Sequence, residues 1–206
     1  MEILIINGSP RLNGNSSILI NEVTKIFDEE NVTYTKYQIG KKQIKGCVAC
    51  GYCKNGEGCV FKDDVNELSK LFEKADGLII ISPVYYGSAN GSLISLLDRL
   101  FYSSSFDKRF KVGAAFSVAR RSGTTATFDE LNKYFTLSQM VIASGRYWNN
   151  GYGAEISDVK EDIEGLQNAR IVARNMVFLV RAINDAKKKY GLPEKEEISY
   201  TNFIRK

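Results

Sequence analysis

The chain has 206 residues, 44% of them apolar and 25% charged, which describes one ordinary globule with a full core and argues against disorder, collagen or coiled coil. It contains no histidine, so Ser-His-Asp triads, Cys-His pairs, histidine zinc sites and histidine proton shuttles are all excluded. Twenty-eight basic against 24 acidic residues leave a net charge of +4, too small and too scattered for a nucleic-acid or membrane partner but suited to a bound anion.

The N-terminus lacks a basic leader, its apolar run is too short for export, and no later stretch reaches membrane-spanning length, so a cytoplasmic location is expected. Ile3 to Ile6 reads as a short buried strand, followed by a Gly/Ser/Asn-rich turn. Ile18 to Glu29 then sets Leu19, Val23 and Ile26/Phe27 on one helical face. Val32 to Ile39 alternates as a second strand and leads into a cysteine-rich loop. Val65, Leu68 and Leu71/Phe72 mark the next helix, and Gly77 to Ser82 a buried strand that Pro83 should stop. Leu93, Leu96/Leu97 and Leu100/Phe101 form another helical stripe. Lys111 to Val118 reads as strand four, Phe128 to Phe135 as helix four, Gln139 to Ala143 as strand five, and Asp158 to about Lys188 as a long last helix.

Strands alternating with helices require right-handed crossovers and a parallel sheet covered on both faces. The expected fold is α/β, a flavodoxin-like doubly wound five-stranded parallel sheet of order 2-1-3-4-5, with ligands beyond the C-terminal ends of the strands. It should span residues 1-190, with a cysteine loop insertion at 46-62. The polar tail 191-206 is expected as a C-terminal arm that packs on a partner subunit.

Three loops carry candidate chemistry. In the first, Asn7 to Ser17, small residues let the backbone approach an anion at a helix N-terminus, with Ser9, Arg11, Asn15, Ser16 and Ser17 as added donors. It lacks the endings of nucleoside-triphosphate and dinucleotide loops, so it is read as a monophosphate site; the bland alternative is a capped strand-to-helix turn. The second, Ser82 to Asn90, joins two tyrosines to small residues and suits a flat ring, unless those tyrosines belong to the core or to a subunit interface. The third, Ser117 to Thr125, carries Arg120 and Arg121, which either stabilise negative charge on a reduced ring or a nucleotide phosphate, or are simply solvated.

The segments GSPRLNGNSS, SPVYYGSANGSL, SVARRSGTTATFDELNKYF and RYWNNG together resemble the NADPH-dependent FMN reductase superfamily, in particular its multimeric-flavodoxin and iron-sulfur flavoprotein branch, from Met1 to about Ile183. The resemblance implies that Ser9, Arg11, Asn13, Asn15, Ser16 and Ser17 bind the FMN phosphate. It likewise implies that Pro83, Val84, Tyr85, Tyr86 and Gly87 lie along the isoalloxazine, and that Ser117, Ala119, Arg120 and Arg121 complete the ring pocket. A homodimer or homotetramer is implied in the same way.

Cys47, Cys50, Cys53 and Cys59 are spaced C-x2-C-x2-C-x5-C, which resembles the cluster motif of iron-sulfur flavoproteins and suits four thiolates on a [4Fe-4S] cube. Four-cysteine zinc and metal-free thiols are the alternatives. Lys45, Lys54 and Lys62 flank the loop and either offset a cluster's charge or are solvated. The loop leaves strand two at the same sheet edge where the flavin is expected. The functional expectation is an oxidoreductase that takes electrons from NAD(P)H or a protein donor such as ferredoxin and passes them through FMN to a quinone, metal, oxygen or other acceptor. The alternative is a non-enzymatic flavodoxin-type carrier, which a net charge of +4 suits poorly. A phosphorylated receiver domain is set aside, because Asn7 and Ser82 stand where it needs acidic residues.

Overall fold

The short apolar runs become the inner strands of the sheet because each is buried on both faces. In the computed structural model, which describes residues 1–201 and 203, the elements are β1 (Glu2–Asn7), α1 (Asn15–Glu29), β2 (Thr33–Gln38), α2 (Asp64–Lys74), β3 (Gly77–Tyr85), β4 (Ser88–Ala89), α3 (Gly91–Ser103), β5 (Val112–Ala119), α4 (Thr124–Leu137), β6 (Val141–Ile142), β7 (Asn150–Tyr152) and α5 (Ile163–Tyr190). The sheet runs β2-β1-β3-β5-β6, all parallel, with β4 antiparallel to β3 and β7 parallel to β5. The α/β flavodoxin-like architecture is as expected. Among the described residues the sheet holds seven strands instead of five, and order 2-1-3-4-5 describes it once β4 and β7, which lie off the main path, are set aside.

Alternation along the strands divides the core in two. Ile3, Ile5, Ile79 and Ile81 face α1 and α5, where Phe27, Val172 and Met176 close over them. Leu4, Ile6, Leu78 and Ile80 face α2, α3 and α4, against Phe72, Leu96 and Phe135. Phe135 comes so close to β5 that a Cβ on Gly113 would lie 2.6 Å from its ring.

Several boundaries differ from expectation for local reasons. Pro83 does not stop β3, which continues to Tyr85. The pairing with β1 ends at Ile81, so from there β3 keeps only β5 as a parallel neighbour, and a residue without an N–H is tolerated on the freed side. The fifth strand shrinks to Val141–Ile142. The last helix is preceded by a separate 3-10 turn, Asp158–Glu161, and starts at Ile163, where Asp162 accepts from the Gly165 amide at 2.9 Å. The tail begins against its own chain: Arg109 donates to the Pro193 carbonyl at 3.2 Å, and Lys195 pairs with Asp107 at 2.9 Å. Positions 202 and 204–206 of the expected arm lie outside the described residues. Among the described residues, no helix is long and apolar enough to cross a membrane.

Candidate active site

The loop from Asn7 to Ser17 is held from within and from below. Asn7 accepts from the Ser9 amide at 3.0 Å, Ser9 Oγ accepts from the Arg11 amide at 3.2 Å, and Ser17 Oγ donates to the Leu12 carbonyl at 2.6 Å. Gly8 is enclosed, since a Cβ there would lie 2.6 Å from Leu93. Buried Asn90 ties three segments together: its amide nitrogen donates to Ser82 Oγ (2.9 Å), its Nδ2 to the Gly8 carbonyl (2.9 Å), and its Oδ1 accepts from the Ser92 amide (2.8 Å), capping α3. The N-terminus of α1 has no side-chain cap and no acidic residue in its first turn; the Ser17 amide donates to the Gly14 carbonyl at 3.0 Å, and the amides ahead of it have no side-chain cap. This departs from a plain capped turn.

The six candidate phosphate ligands separate into groups. Ser16 is buried in the first turn, and Arg11 and Asn13 are exposed above it. The hydroxyls of Ser9 and Ser17 bond within the loop. Asn15 turns away from the others, donating to the Glu155 carbonyl at 2.9 Å and accepting from the Val159 amide at 3.4 Å. Its side chain belongs to the packing of the 155–159 segment, because the start of a helix directs successive side chains to different sides.

The second loop is a two-residue hairpin between Tyr85 and Ser88. Tyr86 (φ 52°) and Gly87 (φ 77°) both take left-handed backbone, the requirement of a type I′ turn. Tyr85 and Tyr86 are exposed, so neither belongs to the core. Glu130 of α4 fastens the hairpin, accepting from Ser88 Oγ at 2.8 Å and from the Ala89 amide at 2.8 Å. The third loop rests directly on it: a Cβ on Gly123 would lie 2.8 Å from Gly87 Cα and 2.8 Å from Val84.

Ser117, expected in the ring pocket, is fully buried, with Oγ 2.7 Å from Asn150 Oδ1 and 3.0 Å from the Thr124 carbonyl. It joins β5, β7 and α4, since its side chain faces into the sheet packing. Ala119 is at the edge of burial and its carbonyl accepts from the Gly153 amide at 3.0 Å, whereas Arg120 and Arg121 are exposed at the rim. The RYWNNG segment runs alongside, bound by Asn168 of α5, whose Oδ1 accepts from the Arg146 amide at 2.8 Å and whose Nδ2 donates to the Tyr147 carbonyl at 3.2 Å. Tyr147 and Trp148 project from it with ring centroids 4.7 Å apart. The sequence reading missed Glu130, Asn90, Asn150 and Asn168. The one available signal was a polar residue, Asn168, on the buried stripe that also carries Ala169 and Val172.

The cysteine loop does not stay at the edge where the phosphate loop lies. All four cysteines line one cavity of about 730 Å³, whose other walls include Phe61, Arg99, Phe101 and Tyr134. Asn90 starts α3 beside Gly8, whereas the cavity meets α3 at Asp98 to Ser103. At 1.5 Å per residue this is roughly 12–20 Å farther along the helix. The thiols are free, Cys47 and Cys50 exposed, Cys53 and Cys59 partly buried. Among the described residues, no three Cys, Asp or Glu side chains converge to hold a single metal ion. Four thiols around one cavity, with guanidinium N–H groups directed at Cys59 Sγ at 3.2 Å, do fit a cube that takes one thiolate at each of four corners. Of the flanking lysines, Lys54 lines the cavity and the Lys45 ammonium lies over the Phe61 ring at 5.1 Å.

An iron-sulfur flavoprotein of Methanocaldococcus jannaschii is 31% identical over 191 residues, 89% of this chain and 99% of the relative. The fold is similar to an NAD(P)H:quinone oxidoreductase from Methanothermobacter marburgensis (TM-score 0.64, 17% identity, 85% of this chain and 96% of the other). It is also similar to a flavodoxin from the domain Archaea (TM-score 0.58, 14% identity, 88% and 99%). The family model described as NADPH-dependent FMN reductase matches residues 1–155. With that match extending from β1 through all three loops, the chain belongs to the NADPH-dependent FMN reductase family of FMN-dependent oxidoreductases, in its iron-sulfur flavoprotein branch.

Proposed function

We propose that the chain takes electrons from NAD(P)H or a protein donor such as ferredoxin through FMN and delivers them to a quinone, metal, oxygen or other acceptor, with residues 1–190 acting as one flavin-binding unit. The observation that carries this reading is the meeting of an uncapped α1 N-terminus, a rigid Tyr85–Ser88 hairpin and the Ala119–Gly123 loop at one sheet edge. The α1 amides, Ser16 and Arg11 bind the phosphate, with Ser9, Asn13 and Ser17 shaping its loop. The backbone from Pro83 to Gly87 orients the ring, while Arg120 and Arg121 supply positive charge at its rim. FMN, when bound, supplies hydride and electron chemistry, which needs no histidine. Anaerobic stopped-flow mixing with NADH and NADPH is the test: flavin bleaching with either nucleotide is expected, and a flavin that stays oxidised with both yet is reduced by ferredoxin overturns the nucleotide assignment.

In this reading Cys47, Cys50, Cys53 and Cys59 hold a [4Fe-4S] cluster, which supplies single-electron transfer when present. A cytoplasmic setting keeps such thiols reduced. The roughly 12–20 Å of α3 between cavity and phosphate loop favours a relay between cluster and flavin of different subunits. Leu12, Tyr85, Tyr86, Tyr147 and Trp148 are all exposed near the flavin edge, an apolar surface suited to a second copy of the chain. Sedimentation of the FMN-loaded protein is expected to give a dimer or tetramer; a monomer alone rejects both the assembly and the relay across it.

A further inference from the structure

Among the described residues Arg99 is the largest fully buried side chain, at 2% exposure, on the face of α3 that also buries Leu96, Leu97 and Leu100. A guanidinium among leucines is costly unless its N–H groups are met by acceptors. Here all five donors have partners. Nε and Nη2 each lie 3.2 Å from Cys59 Sγ, Nη2 and Nη1 bind the Asp63 carboxylate at 2.8 and 2.7 Å, and Nη1 also reaches the Lys45 carbonyl at 3.1 Å. The Phe61 ring stacks 4.8 Å from its central carbon. One cation thus grips the cysteine loop before its first cysteine, at its last cysteine and beyond it.

Stability requires only that each N–H of the buried guanidinium meet some acceptor, not that the acceptor be a sulfur. One face of this fork carries two N–H groups aimed at one sulfur, and hydrogen bonds to ligand sulfur stabilise the more negative, reduced state of a cluster. We infer that Arg99 is a positioning residue that fixes Cys59 as the preformed corner of the site and raises the reduction potential of the cluster, with Asp63 setting how much of the arginine's charge the sulfur feels. This inference rests on the cluster reading above.

The test compares Arg99→Met, Arg99→Lys and Asp63→Asn with the wild type, all purified and reconstituted without oxygen, by iron content, FMN content and the midpoint potentials of both centres. Asparagine remains a good helix cap, so Asp63→Asn keeps the start of α2, where Asp63 accepts from the Val65 amide. Arg99→Met should shift the cluster equilibrium at least tenfold toward the oxidised form, about 59 mV lower for one electron. Arg99→Lys should fall between Met and wild type, and Asp63→Asn should move the potential upward. The FMN potential should not move. Opposite signs from the two partners of one ion pair are not what a merely structural contact gives. A fully loaded Arg99→Met protein with an unchanged potential overturns the inference. If Arg99→Met does not load iron, Asp63→Asn carries the reading, and an unchanged or lowered potential there is the overturning result. Wild-type protein that takes up no iron removes the cluster reading itself, and this inference with it, by a different measurement.

Discussion

Serine in place of any one of Cys47, Cys50, Cys53 or Cys59 is expected to strip most of the iron from anaerobically reconstituted protein, from about four irons per chain to below about one. FMN should remain close to stoichiometric. In the proposed reading the two cofactors separate because the cysteines and the phosphate loop meet α3 at different ends, near Arg99 and near Asn90 respectively. Cys59→Ser is the most demanding of the four: the hydroxyl can still accept from Arg99, so the loop keeps its frame while a thiolate corner is lost. Iron, acid-labile sulfide and the visible spectrum read the result. Metal-free loops would respond differently, with each substitution leaving the spectrum alone. Wild-type protein reconstituted without oxygen that lacks iron and titrates four free thiols would reject the cluster and leave a simple flavin reductase.

The second large effect concerns the phosphate. Ser16→Ala and Arg11→Ala are each expected to weaken FMN binding by roughly 10- to 100-fold, the worth of about 1.5–3 kcal/mol for a hydrogen bond to a charged group. Riboflavin, which has the ring and ribityl chain but no phosphate, should be affected far less. Ser16 is buried in the first turn of α1, so its loss acts at the mouth of the helix where the open amides converge. Asn15→Ala serves as a contrast, since its side chain bonds Glu155 and Val159 and not the phosphate side of the loop. Equal losses for FMN and riboflavin in the Ser16 and Arg11 variants, measured by flavin fluorescence titration, would refute the phosphate assignment.

What could be read from the sequence was local. Ile3 to Ile6 and Gly77 to Ile81 declare buried strands by composition alone, and the Gly/Ser/Asn content of the loop after β1 is what suggests the proposed anion site. The contacts that escaped are between segments far apart in the chain. Glu130 lies 42 positions beyond Ser88 and looks like any surface carboxylate of an amphipathic helix until the hairpin is seated on it. Arg99, between Asp98 and Leu100 in the chain, gives no sign in the sequence of its partner sulfur 40 positions away. β7 was invisible for a related reason: Asn150-Gly151-Tyr152 has the composition of a turn, and it becomes a strand only because β6 pairs β5 no farther than Gly113 and leaves Ser117 to Ala119 open on the edge away from β3. Ser117 and Asn15 were assigned to the cofactor by motif position. A motif gives the order of residues but not which way each one faces, and both side chains face the protein.

Glu130's hold on the Tyr85–Ser88 hairpin has a thermodynamic corollary. Left-handed backbone at Tyr86 and Gly87, carboxylate bonds at Ser88 and Ala89, and the close seat of Gly123 fix this loop in the free protein. A ring arriving there need not freeze the polypeptide that receives it, so the entropy of ordering a loop is largely absent from the association. In the proposed flavin reading that entropy was spent when the chain folded, and the receiving backbone is set before the ring arrives.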